Sequence, residues 1–308
     1  MKKLITPIII LFLFCFLFIC PSLSLEASKT GLILWFDTLL PTLLPFLIIS
    51  QIILKTPLID VIQKLLGPFF QKIFHCSEQG AFCILCGFLC GSPVGARLIS
   101  IQLKEQKMSV EEGQYLLAFC NNLSPMFCIS YGIPFGIGAG PILPYLLIIL
   151  GSTIIFGLFT RQKRATKVFS GTKKQTSPAE NIFQLIDVCI IDSFLIMIKL
   201  CGYLIIFSII NSACSLFFPK DHFFAAAILS AVMEVTSGLA KISALPTGNF
   251  RTALALCAMS FGGLCCVFQT NSVISETPLS IKNYVLHKLM ITLLALFFYC
   301  FFNFFVSF

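Results

Sequence analysis

The sequence predicts an all-α polytopic membrane protein, and its composition and long apolar runs carry that prediction. Of its 308 residues, 57% are hydrophobic and 11% are charged, and the mean hydropathy is +0.97. Soluble domains carry charge on roughly a quarter of their residues. Several apolar runs reach the roughly 18 residues that let a helix cross a bilayer, and they lack the alternation of a membrane β-barrel. A lipid bilayer is therefore the expected surrounding of this chain.

The first two apolar runs predict two membrane-spanning helices. The chain opens with Met1-Lys2-Lys3 and continues as an apolar run from Leu4 to Leu25. A cleaved signal peptide is the alternative, but the run is long for one, so we expect a retained helix with its amino terminus inside. A second span is predicted from about Gly31 to Leu54. The amphipathic stretch Lys55–Cys76 then predicts a helix lying in the membrane interface.

Two broken apolar runs follow in the first half. The run Gln79–Leu103 is interrupted by Gly91-Ser92-Pro93-Val94-Gly95 and then carries Arg97. Neither half of it spans roughly 30 Å at about 1.5 Å per residue, which predicts a re-entrant hairpin. The next run, Tyr115–Gly138, is broken by Asn121-Asn122-Leu123-Ser124-Pro125, and an unbroken span follows it at residues 141–160.

The second half repeats this order. A long span is predicted at 181–216. The run Phe223–Leu245 is then interrupted by Glu234-Val235-Thr236-Ser237-Gly238, and Arg251–Ser275 by Phe261-Gly262-Gly263. A last span is predicted at 284–308. Paired, interrupted hydrophobic segments in corresponding places indicate the binding site of a secondary transporter.

The distribution of Lys and Arg predicts the orientation of the two halves. A basic loop at 161–180 and the basic amino terminus are both expected in the cytoplasm. Both requirements are met if the first broken run enters and leaves on one side, which makes the second half an inverted copy of the first. We therefore predict an N-terminal transmembrane helix at 1–30, a first transporter repeat at 31–160, the loop, and a second, inverted repeat at 181–308.

The broken segments predict a site for a small anionic solute. A half-helix that begins inside the membrane presents free N–H groups and a positive dipole end. The basic residues Arg97, Lys199 and Lys241 lie in or beside these segments. The predicted substrate-binding residues are Gly91, Ser92, Gly95, Arg97, Asn121, Asn122, Lys199, Glu234, Thr236, Ser237, Gly238, Gln269 and Asn271. Structural alternatives stay open: an Asp192–Lys199 pair, Arg97 reaching the interface, and Gly262 and Gly263 serving only close helix packing.

Other classes of function are disfavoured. The net charge of +8 arises from loop residues, so no nucleic-acid partner is expected. Cys83, Cys86 and Cys90 lack a fourth ligand at a usual spacing, so no metal is expected. No catalytic triad or phosphate loop appears, which argues against an enzyme. We expect no cofactor beyond a coupling ion, H⁺ or Na⁺, and a homo-oligomer is an open alternative.

These motifs resemble those of the nucleoside-recognition (Gate) domain membrane proteins, and within them the YlbJ-like sporulation integral membrane proteins. The matching pieces are Leu40-Pro41-Thr42-Leu43-Leu44-Pro45-Phe46, Gly87-Phe88-Leu89-Cys90-Gly91-Ser92-Pro93-Val94-Gly95-Ala96, Cys120-Asn121-Asn122-Leu123-Ser124-Pro125, Glu234-Val235-Thr236-Ser237-Gly238 and Ser260-Phe261-Gly262-Gly263. The resemblance implies an inverted-repeat fold like that of concentrative nucleoside transporters, with two re-entrant hairpins.

The resemblance also implies a role in spore formation. Relatives of this kind are tied to moving dipicolinic acid, a small aromatic dianion, towards the forespore, so the expected location is the bacterial plasma membrane or a forespore membrane. This chain departs from longer members in its short central loop at 161–178, which leaves room for another substrate. The alternatives are a nucleoside or nucleobase transporter and a non-transporting membrane protein needed for spore maturation.

Overall fold

A computed structural model of the chain describes residues 2–138, 140–161, 182–216 and 223–306. Within those ranges the secondary structure is helical, without a β-strand. Six of the described helices are long and apolar enough to cross a membrane; they cover 21–53, 110–136, 142–160, 182–215, 249–274 and 281–305. The prediction of an all-α, multi-pass membrane protein is confirmed. The predicted basic loop at 161–180, beyond Arg161, lies outside the described residues.

The amino-terminal part is a chain of three helices. Helix α1 (Lys2–Ile19) ends at Cys20, and α2 (Pro21–Leu34) passes through a π-helical turn into α3 (Leu40–Lys55). Pro41 lies just after the π-helical turn, and the helix continues through it as one span, 21–53. The predicted boundary at residue 30 lies inside α2.

Helix α4 (Leu58–Phe74) leads into the first broken run. Its axis meets that of the next helix at 99° across a short connection at 75–77. His75 occupies the left-handed region there, with φ 52°, which turns the chain sharply. The bend separates the amphipathic α4 from the apolar helix that follows it, and the interfacial position of α4 stays a prediction.

Two short helix pairs fold back on themselves as hairpins. Hairpin 1 is α5 (Glu78–Cys90) and α6 (Val94–Lys104), joined at residues 91–93, and hairpin 2 is α12 (Phe223–Met233) and α13 (Val235–Ser243), joined at Glu234. A Cβ on Gly238 would collide with the Ala231 backbone. Seven residues along a continuous helix lie about 10 Å apart, so this contact requires the chain to reverse.

A broken helix follows each hairpin. After hairpin 1, α7 (Val110–Cys120) stops and the chain resumes as α8 (Pro125–Phe127), a π-helical turn and α9 (Ile133–Gly136). After hairpin 2, the break is at 262–263, where α14 (Asn249–Phe261) meets α15 (Gly263–Ile274). Both glycines there have positive φ, 83° and 77°, which other residues rarely adopt. All four interruptions lie where the sequence predicts them.

Three unbroken helices complete the described fold. They are α10 (Ile142–Thr160), α11 (Ile182–Ser215) and α16 (Ile281–Val306). Helix α11 packs against α2 and α3, and α16 packs against α10 and α14. Lys55 on α3 donates a 2.8 Å hydrogen bond to Asp192 on α11. The partner of Asp192 is therefore Lys55, and the alternative of an Asp192–Lys199 pair is wrong.

The two hairpins have their bases at opposite ends of the broken helices. At one end, the Ser77 N–H beside hairpin 1 donates to Glu112 Oε1 near the start of α7 at 2.6 Å, and Lys104 forms an ion pair with Glu276 just after α15. At the other end, Arg251 at the start of α14 donates to the carbonyls of Gly136, at 2.9 Å, and of Leu245 just after hairpin 2.

The long broken helices therefore run antiparallel, with one hairpin entering from each end. An inverted repeat requires this opposition of the hairpins. The repeat itself and the likeness to concentrative nucleoside transporters stay predictions.

Candidate functional site

The tip of each hairpin touches the break of the long helix that follows it. In hairpin 1, the Ser92 N–H donates to the Asn122 carbonyl at 2.6 Å, and a Cβ on Gly91 would lie 2.6 Å from the Ser124 nitrogen. In hairpin 2, a Cβ on Gly263 would lie 3.1 Å from Glu234 Cα. Four chain interruptions thus meet in two pairs.

Glycines let hairpin 1 approach α7 closely. A Cβ on Gly95 would lie 2.6 Å from the Cys120 carbonyl oxygen, and one on Gly87 would overlap the same oxygen. Gly91 has φ 73°, a conformation that glycine adopts without strain. The contacts at Gly91, Gly95 and, in hairpin 2, Gly238 are packing contacts, and binding of substrate by these three residues stays a prediction.

Asn121 links the two halves of the chain. It has no exposed surface, and its Nδ2 donates to Thr270 Oγ1 at 2.8 Å and to Tyr284 Oη at 3.1 Å. Its Oδ1 accepts from the Ala96 N–H at 3.3 Å. Tyr284 in turn donates to the Asn121 carbonyl at 3.2 Å. One side chain therefore contacts hairpin 1, α15 and α16.

The neighbouring Asn122 holds a buried cation. Lys288 on α16 is 2% exposed, and its Nζ donates to Asn122 Oδ1 at 2.5 Å. It also lies 5.8 Å from the centre of the Tyr284 ring. Among the described residues, no carboxylate lies within 4 Å of Lys288 Nζ. Asn122 Nδ2 donates to the Phe119 carbonyl, which fixes the orientation of its amide.

Lys288 and Tyr284 were not among the predicted site residues. No chain break marks them, because α16 is continuous from Ile281 to Val306. A signal existed: ionisable residues inside membrane segments are rare and usually functional. Position 288 lies four residues into the predicted last span, where it reads as a helix-end charge, and its burial depends on α7.

Glu234 caps the second half of hairpin 2. Its side chain is 2% exposed; Oε1 accepts from the Thr236 N–H at 2.8 Å and Oε2 accepts from the Ser237 N–H at 2.7 Å. The Thr236 hydroxyl donates to the same carboxylate. The anion site at the start of α13 is therefore filled by the protein itself. Glu234 and Lys288 both lie close enough to Cys266 to interact with it electrostatically.

The predicted basic residues lie at different depths. Arg97 on α6 and Lys241 on α13 are half-buried, whereas Lys199 on α11 is exposed. Lys241 Nζ lies 3.5 Å from Asn211 Oδ1, which also accepts from Ser230 Oγ at 2.9 Å. Of these cations, Lys241 contacts a buried polar group.

The two predicted polar residues of α15 also differ in burial. Gln269 is buried, and its Nε2 donates to Cys265 Sγ at 3.2 Å. Asn271 is exposed. Within the described ranges, no three His, Cys, Asp or Glu side chains come together as metal ligands.

Comparison with known proteins matches residues 36–153 to the Gate family, described as nucleoside recognition. This stretch of the chain is therefore similar to Gate domains. These residues include hairpin 1 and the first broken helix. The matched stretch therefore includes Asn121 and Asn122, while Glu234 and Lys288 lie beyond it.

The chain is also similar to the sporulation integral membrane protein YlbJ of Bacillus subtilis strain 168. The two are 24% identical over an alignment that covers 88% of this chain and 75% of YlbJ. No solved structure matches. The resemblance to Gate and YlbJ-like proteins that the motifs predict is confirmed.

Proposed function

We propose that this protein moves a small anionic metabolite across a membrane during sporulation, with dipicolinic acid as the first candidate. The observation that carries the proposal is the meeting of two hairpin tips with two broken helices. A continuous helix satisfies its own backbone, whereas interrupted helices leave polar groups inside the membrane that need partners. Secondary transporters bind solutes at such places.

The charges beside the tips support an anionic solute. The Glu234 carboxylate is occupied by backbone N–H groups of α13, so its charge is already balanced locally. Lys288 is buried without a carboxylate within 4 Å among the described residues, and Lys241 is half-buried beside an amide. The positive charges of these lysines therefore favour a negatively charged ligand at the site.

The opposite entry of the hairpins supports alternating access. Hairpin 1 has its base beside Glu276, and hairpin 2 has its base beside Arg251. Each hairpin therefore covers the centre from a different end. Withdrawal of one tip while the other stays in place exposes the site to one side of the membrane at a time.

The relatives support this setting. YlbJ is described as a sporulation integral membrane protein, and the Gate family is described by nucleoside recognition. Similarity to a membrane protein and to a recognition family favours a role in binding and transport over an enzymatic role. A nucleoside is the second candidate solute, because the buried amides of Asn121, Asn122 and Gln269 suit hydrogen bonding to a base.

The test is solute uptake into vesicles that contain the purified protein. We expect labelled dipicolinate to enter faster than into empty vesicles, with competition by aromatic dicarboxylates. Imposed H⁺ and Na⁺ gradients identify the coupling ion. Competition by nucleosides instead selects the second candidate. Protein that moves neither class of solute and co-purifies with a partner overturns the proposal and indicates an assembly role.

A further inference from the structure

Lys288 is a buried cation whose hydrogen-bonding capacity is not filled. A lysine ammonium has three N–H donors. Within the described part of the chain one acceptor meets them, Asn122 Oδ1 at 2.5 Å, and the Tyr284 ring lies 5.8 Å away. A cation removed from water is stable only when it is paired and hydrogen-bonded. The site therefore favours an additional acceptor that carries negative charge.

The charged and titratable groups around Lys288 do not supply that charge. Cys128, in the π-helical turn after α8, and Cys266 on α15 lie within electrostatic reach of Nζ. Glu234, at the tip of hairpin 2, is within reach of Cys266, but its two oxygens accept hydrogen bonds from α13. Tyr284, one turn earlier on α16, gives its hydroxyl hydrogen to the Asn121 carbonyl.

Lys288 lies at the junction of the hairpin 1 tip and the broken helix, where we expect a transported solute to bind. Its acceptor, Asn122, is the residue whose carbonyl receives the Ser92 N–H at the tip of hairpin 1. Ser92 Oγ is itself buried and has no hydrogen-bond partner among the described residues. A hydroxyl and an ammonium, both with unused donors, thus belong to the same junction of hairpin tip and broken helix.

We propose that the Lys288 ammonium binds a carboxylate of the transported solute. The ligand class is a small organic carboxylate, and the proposal rests on the proposed transport function. The purely structural alternative is that Lys288 stabilises the carboxyl-terminal end of α7, where a cation is favourable. That alternative predicts a loss of stability on substitution and no change in the affinity for carboxylates.

The experiment compares Lys288→Met and Lys288→Arg with the matched control Lys282→Met, which removes an exposed charge from the same helix. Each protein is reconstituted, and its KM for dipicolinate and its stabilisation against heat by dipicolinate are measured. We expect Lys288→Met to raise KM by roughly tenfold to a hundredfold, the worth of a hydrogen bond to a charged group. Lys288→Arg is expected to keep most of the affinity, and Lys282→Met all of it.

A second variant keeps the test valid if Lys288→Met does not fold. Asn122→Asp gives Lys288 a carboxylate of its own, which offsets the loss of the hydrogen bond from Nδ2 to the Phe119 carbonyl, so the protein is expected to fold and to lose affinity for dipicolinate. The neutral analogue pyridine-2,6-dicarboxamide is expected not to compete in the wild type. An unchanged KM in Lys288→Met, or in a stable Asn122→Asp protein, overturns this inference. A wild type that moves nucleosides and no carboxylate also overturns this inference, whereas a wild type that moves neither overturns the transport function.

Discussion

Gly263 lies directly against Glu234: a Cβ on the glycine would come 3.1 Å from the Cα of the glutamate. The break of the second long helix and the tip of hairpin 2 are therefore joined through backbone atoms. The same is true of Gly91 and Ser124 in the first half. Both hairpins depend on positions where a side chain does not fit.

Gly238→Ala is expected to destabilise the protein, because its Cβ would overlap the Ala231 backbone inside hairpin 2. Overpacking of this kind costs about 1–3 kcal/mol. The control is Gly202→Ala in α11, where an added Cβ has no neighbour within 4 Å. Since alanine favours helix over glycine, the control is expected to be neutral or slightly stabilising. Thermal unfolding of purified protein gives both values; equal stability of the two variants would contradict the hairpin packing.

Glu234→Ala is expected to lower stability by about 0.5–2 kcal/mol, the usual worth of a helix N-cap. The carboxylate accepts from the N–H groups of Thr236 and Ser237, which the variant leaves without partners. Glu234→Gln retains one acceptor oxygen and is expected to lose less. The measurement is the midpoint of thermal unfolding for both variants. A Glu234→Ala protein as stable as wild type would mean that capping is not the role of this residue.

Asn121 and Tyr284 are expected to be energetically coupled. They exchange two hydrogen bonds, at 3.1 and 3.2 Å, between α7 and α16. In a double-mutant cycle with Asn121→Ala and Tyr284→Phe, the coupling energy in thermal unfolding is expected to be about 0.5–3 kcal/mol. The pair Asn121→Ala with Asn283→Ala, an exposed residue of α16, serves as the control and should be additive. Additivity in the first pair would contradict the predicted coupling.

Lys104 is expected to hold the pKa of Glu276 below its ordinary value. The hydrogen bond from the ammonium is the main cause, and its charge adds to it. A lowered carboxyl pKa means that the pair is complete above that pKa and is lost as the pH falls through it. In Lys104→Met the pKa of Glu276 should rise, as measured by NMR of a labelled glutamate. Because the pair is exposed, stability should change little.

The bases of the hairpins are expected on opposite faces of the membrane. Glu105→Cys reports on the base of hairpin 1 and Thr247→Cys on that of hairpin 2; both positions are exposed. They are introduced after the exposed Cys15 and Cys300 are replaced by serine. With the amino terminus inside, an impermeant maleimide added outside should label position 247 and spare position 105. Labelling of both from one side would exclude an inverted repeat.

The breaks in the chain could be predicted from the sequence because their cause is local. Glycine, proline and polar residues interrupt these apolar runs, so local composition indicates where α5, α7, α12 and α14 end. The glycines of the tips, such as Gly91, were predicted as binding residues, and the contacts observed there are packing contacts. A glycine in the sequence indicates a close approach of the backbone at such positions, but it does not distinguish approach to a ligand from approach to another helix.

Contacts between distant segments could not be predicted from the sequence, because they depend on how the helices pack and not on local composition. Lys288 lies 166 positions from its acceptor Asn122, and no periodicity connects them. Lys199 is an alternative partner for Asp192 in the sequence, two turns along on the same helix face. Asp192 instead binds Lys55, 137 positions away, because α11 packs on α3. A charge inside an apolar run is visible in the sequence; its partner is decided by how the helices pack.

Each hairpin tip finds its partner in a segment that the ribosome makes later. Ser92 meets Asn122, and Glu234 meets Gly263, in segments that are made later, whereas the sides of the hairpins pack on helices made earlier, α5 on α4 and α12 on α11. Lys288 is made after both hairpins and hydrogen-bonds to Asn122, which is synthesised 166 residues before it. A chain truncated before α16 would keep the partners of both hairpin tips and would lack the contacts of Tyr284 with Asn121 and of Lys288 with Asn122.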